Sequence, residues 1–116
     1  MRAALLCLCF LLVNCSSAPP DPQTAFETWL AAQPDRAARF ERFEAMLRRE
    51  GVADVVPNRD LWLTDRKDPE CVIEPYTMPP EELWPRIVPA LRFIRDYVKP
   101  AIGDVAVASS YRDDAL

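Results

Sequence analysis

The sequence predicts an α+β fold, α-rich at its N-terminal end, with about three helices and one strand and an incomplete sheet. Three observations predict it. Apolar residues recur at helical spacing over residues 35–50 and again over 81–98. Asp104-Val105-Ala106-Val107-Ala108 alternates in the manner of a strand. Prolines and the two glycines, Gly51 and Gly103, fall between these segments as punctuation.

The first segment lies outside the fold. Arg2 supplies a minimal positive start, and Ala3 to Val13 run without a polar residue. That run suits a signal peptide and is too short for a transmembrane helix, which needs roughly 20 residues. Leu12-Val13-Asn14-Cys15 follows. It resembles the bacterial lipobox, in which the cysteine is lipidated and becomes the mature N-terminus, although Asn14 stands where a small residue is usual. The rival reading is ordinary signal cleavage after Ala18, which Pro19 would hinder. Residues 1–14 are thus read as a lipoprotein signal peptide and 15–23 as a Pro-rich tether. The domain then occupies residues 24–116.

Thr24-Ala25-Phe26-Glu27 has the hydroxyl and carboxylate spacing of a capping box and predicts a short helix through Thr28, Trp29 and Leu30. Pro34 ends it and can open the next helix. That helix, about Asp35 to Glu50, places Phe40, Phe43, Met46 and Leu47 on one face, the predicted core. Asp35–Arg39 and Glu44–Arg48 pairs mark the other face as solvated, and Gly51 stands at the expected C-terminal cap. Val52 to Val56 is a short apolar run broken by Pro57 and Asn58, and Arg59 to Leu63 suits one helical turn. Residues 64–79 form a long polar connection of the kind that is usually functional or mobile.

The third helix starts near Pro80 or Glu81, with Leu83, Trp84, Ile87, Val88, Leu91, Ile94 and Val98 as its apolar face. Pro85 and Pro89 are tolerable near its start, and Pro100 and Gly103 end it. The strand follows, then a turn at Ser109-Ser110-Tyr111-Arg112.

Composition removes whole classes of chemistry. The 116 residues include no histidine, so neither Ser-His-Asp nor Cys-His catalysis nor His-ligated zinc can be assembled within the chain. Two glycines make no phosphate-binding loop. The formal charge of −4 becomes −5 when Arg2 leaves with the signal. Such a chain has no electrostatic footprint for nucleic acid and does not read as a polybasic membrane binder. Of the four cysteines, Cys7 and Cys9 lie in the signal, Cys15 takes the lipid, and Cys71 is left over.

Tyr76 to Trp84, the helix through Arg92, Asp96-Tyr97-Val98, Ile102-Gly103 and the Val105 to Arg112 segment together carry a resemblance. They look like the N-terminal part of the zinc D-alanyl-D-alanine carboxypeptidases of the VanY-like family. The resemblance implies a metallopeptidase-like domain in which the strand ends in a Ser-x-Tyr-Arg turn at the active site. By position, Arg112 would be the catalytic arginine that stabilises an oxyanion or grips the substrate carboxylate. Ser109 and Tyr111 would border the substrate, a peptidoglycan stem peptide. The family's zinc is held by a His-six-residues-Asp motif and a later histidine, all beyond the turn. This chain has none of these, so the resemblance implies a catalytically incomplete domain that binds no zinc by itself. It also implies that Cys71 pairs with a cysteine just beyond the turn, past Leu116. The alternative is a small non-enzymatic envelope lipoprotein that binds peptidoglycan or a partner protein. Either way the location is the bacterial cell envelope, facing the periplasm, with the membrane reached through the lipid on Cys15.

Overall fold

The computed structural model describes residues 20–64 and 75–108. Among the described residues, four α-helices, two 3-10 turns and one π turn make up the helical structure.

Helix α1 spans Pro22–Ala31. Its cap is Asp21 rather than the expected Thr24. The Asp21 carboxylate accepts from the backbone amides of Gln23 and Thr24 at 3.0 and 3.1 Å, and the Thr24 hydroxyl also donates to it. Pro22 takes the first helical position, where a missing N–H removes nothing.

Helix α2 spans Pro34–Arg49 and buries the predicted core residues Phe40, Phe43, Met46 and Leu47. The expected Gly51 stop is a Schellman motif. Gly51 N donates to Arg48 O at 3.1 Å and Val52 N to Leu47 O at 2.9 Å, with Gly51 at φ +71°. Arg36 departs from the expectation of a solvated charged face. It is buried, donates to Trp29 O at 2.8 Å, and lays its guanidinium 4.1 Å from the centre of the Trp29 ring. A carbonyl in the last turn of α1 is thereby tied to the first turn of α2.

Asn58–Trp62 forms the expected helical turn, as a 3-10 helix. Around fully buried Trp62 stand the rings of Phe40, Phe43, Trp29 and Trp84, with centroids 4.9 to 6.5 Å away. Leu63 and Tyr76 make an isolated antiparallel bridge, and the Thr64 and Thr77 hydroxyls lie 2.6 Å apart. The two ends of the long polar connection are thus joined.

The expected third helix is composite. Glu81–Arg86 is a 3-10 turn, α3 spans Ile87–Phe93, Ile94–Val98 is a π turn, and α4 spans Lys99–Ile102. The prolines account for much of this. Pro85 stays in the 3-10 turn, and Pro89 falls in the first turn of α3, where few hydrogen bonds are lost. Lys99 N bonds Ile94 O, the wide spacing that defines the π turn just before Pro100.

The α+β expectation is corrected: among the described residues there is no strand and no sheet, and the fold is mostly helical. Residues 103–107 run irregularly after Gly103. Val105 and Val107 are half-buried against the core while Asp104 and Ala106 are exposed. The alternation is therefore real, but it arises from packing on helices. A strand also needs a ladder partner for its backbone groups.

Candidate functional site

The residues singled out by sequence lie outside the described residues: Cys15, Cys71, Ser109, Tyr111 and Arg112. The described residues contain a different candidate, a cleft of about 270 Å³ where three chain segments meet. The first turn of α1 supplies Gln23, the middle of α2 supplies Glu44, and the turn after Gly51 supplies Asp54, Asn58 and Arg59. The buried rings of Phe26 and Phe40 form its floor.

Local structure fixes each wall. Asp54 adopts φ +60°, a left-handed conformation that Asp tolerates better than most residues. Its backbone N–H donates to Asn58 Oδ1 at 3.1 Å, which closes the turn. Arg59 Nη1 donates to Gln23 Oε1 at 3.0 Å, tying the turn to α1. Arg59 Nε is buried without a hydrogen bond and lies 3.6 Å from Asp60 Oδ1. Burial pushes the neighbouring Tyr76 phenol above its ordinary value; its hydroxyl donates to Pro22 O at 3.4 Å.

The residues lining the cleft include two acidic ones, Glu44 and Asp54, and one basic, Arg59, beside Phe26 and Phe40. That arrangement can take a small ligand carrying both an amine and a carboxylate. Sequence reading treated Glu44 as one half of a solvated pair. That pair exists, with Arg48 Nη1 3.4 Å from Glu44 Oε2, and Glu44 also lines the cleft. The other expected pair is redirected, since Arg39 Nε lies 3.4 Å from Glu81 Oε1.

The sequence has no histidine, and no group of three or more Asp, Glu or Cys residues is placed to hold a metal among the described residues. Also among them, no helix is long and apolar enough to cross a membrane. Comparison with protein-family models, with curated proteins and with solved structures returns no match for this chain.

Proposed function

We propose that this chain is an exported lipoprotein, anchored through Cys15, whose helical domain binds peptidoglycan stem peptide at the envelope without hydrolysing it. The observation that carries the reading is the Ser109-Ser110-Tyr111-Arg112 sequence in a chain with no histidine. A guanidinium for a peptide carboxylate is present, and the ligands for the family's metal are not. Arg112 grips the terminal carboxylate through paired N–H donors, and Ser109 and Tyr111 border it. The cleft is in keeping with this reading, because the acidic residues Glu44 and Asp54 are among those that line it.

The test is a titration of the purified chain with a stem peptide ending in D-Ala-D-Ala, with zinc present, read by NMR and by release of D-alanine. Saturable shifts are expected, weakened by Arg112→Gln, with no chelator-sensitive release. Robust chelator-sensitive turnover would overturn the binding-only reading, and absence of any shift would overturn the peptide. For the anchor, Cys15→Ala should abolish lipid labelling and membrane retention. Persistence of both in that variant would sink the lipobox.

A further inference from the structure

The turn that leads from α2 to the cleft carries two left-handed residues close together, Gly51 at φ +71° and Asp54 at φ +60°. For a residue other than glycine that conformation is costly, and it persists only where the surroundings over-determine it. Burial of Val52, Val55 and Val56 anchors the apolar side chains of the turn. Asp54 itself is exposed, so its backbone needs another hold.

Two cations of the composite helix grip the turn at its two ends. Arg95 Nη1 donates to Gly51 O at 2.7 Å, and Lys99 Nζ donates to Val55 O at 3.0 Å. Donors and carbonyls share the same spacing along the chain, Arg95 with Lys99 and Gly51 with Val55. Arg95 is itself fixed. Its Nε and Nη2 bond the two carboxylate oxygens of Asp96 at 2.7 and 3.1 Å, which leaves Nη1 for the carbonyl. Lys99 also lies 3.3 Å from Asp104 Oδ1. Arg95 falls within the π turn and Lys99 directly after it. Such a local change of pitch is frequent at functional positions.

The gripped turn leads directly into one wall of the cleft. The Asp54 N–H donates to Asn58 Oδ1 at 3.1 Å, and Asp54, Pro57, Asn58 and Arg59 line the cleft together. Arg95 and Lys99 are not among the lining residues, so any effect they have on the cleft passes through the turn.

We propose that Arg95 and Lys99 form a strap across residues 51–55 that sets the position of Asp54. Docking of the composite helix and the shape of the cleft then change together, and the two cations are positioning residues. By linkage, a ligand that favours the held turn also favours the docked helix. The strap stands on the fold around the cleft and does not depend on the stem peptide being the ligand.

The experiment is amide exchange read by NMR on the purified chain, with the Asp54 amide as reporter. Arg95→Met/Lys99→Met should quicken exchange at Asp54 about tenfold. The Asn58 and Arg59 amide shifts should move with it, while the middle of α2 exchanges as before. Lys99→Arg keeps a donor for Val55 O and should stay close to the parent rate. Arg92→Met removes the ion pair with Glu50, which lies outside the gripped turn, and should leave Asp54 unchanged. If the double variant loses its cooperative circular dichroism melt, Lys99→Met alone is read in the same way. An unchanged Asp54 rate, a rise shared by the whole of α2, or an equal rise in Arg92→Met would overturn the proposal.

Discussion

Helix α2 and the longer composite helix that starts at Glu81 are opposite in construction. Helix α2 is a continuous α-helix with a proline at its first position and a Schellman stop, and it buries five side chains along its length. The composite helix buries Trp84, Val88 and Leu91 in its first half and nothing in its π turn or in α4. Its far half is held by cations instead. Arg92 donates to Glu50 Oε2 at 2.9 Å, Arg95 to Gly51 O at 2.7 Å and Lys99 to Val55 O at 3.0 Å. Two of these grip the C-terminal turn of α2, where the macrodipole favours positive charge. One helix is thus fixed by apolar burial. The other is fixed by burial for half its length and by polar clasps onto the first helix for the rest. The unburied half is the part free to present aromatics outward.

Substitution at Trp62 should erase both regions together. Its ring touches aromatics from α1, α2 and the composite helix, so Trp62→Ala should lose about 3–5 kcal/mol in chemical denaturation. Trp62→Phe should lose much less, because the buried indole N–H has no acceptor and its removal relieves that penalty. An equal loss for the two variants would mean that the ring's contacts do not join the regions.

Gly51→Ala tests the junction. A Cβ there would meet Arg95 Nη1 at an ordinary 3.6 Å, so the loss comes from the left-handed φ and should be about 1 kcal/mol. A neutral result would show that the Schellman turn is not what seats the clasps.

Lys99→Met separates the halves. It removes the donor to Val55 O and should lower global stability by less than about 1 kcal/mol. Amide exchange over residues 94–102 should quicken while α2 stays protected. Uniform loss of protection would refute the division.

The smallest effect is that of acid. The Thr24 side chain and backbone hold the Asp21 carboxyl below its usual value, Arg42 does the same for Glu81, and Arg95 for Asp96. Their folded values lie below the unfolded ones. Their contribution is therefore complete above the unfolded carboxylate range, near pH 4, and is lost as pH falls through the folded values. Thermal midpoints should be level from neutral to about pH 5 and decline below about pH 4. Asp21→Asn keeps the cap and should remove that residue's share of the acid slope. A midpoint that rises on acidification would contradict all three assignments.

The legible parts of the fold were those with local causes. The apolar face of α2, its proline start and its glycine stop each need only neighbouring residues, and all three stand in the structure. The cap of α1 was also written locally, in Asp21-Pro22, but Thr24 and Glu27 offered a competing pattern that begins three residues later. Val105 and Val107 were legible as inward-facing residues and not as a strand, because alternation reports burial and says nothing of a ladder partner. The cleft was not legible at all. Gln23, Glu44 and Asn58 share no period and meet only when α1, α2 and the turn after Gly51 pack.

The sequence by itself determined the proline start and glycine stop of α2 and the identity of most core positions. Tertiary structure decided that Arg36 is buried, that Glu44 faces a cleft, and that the long C-terminal helix changes pitch around its prolines. It also decided that Phe93 and Tyr97 remain outside. Local propensity fixes which face of a segment is apolar, whereas only packing determines whether that face finds a partner.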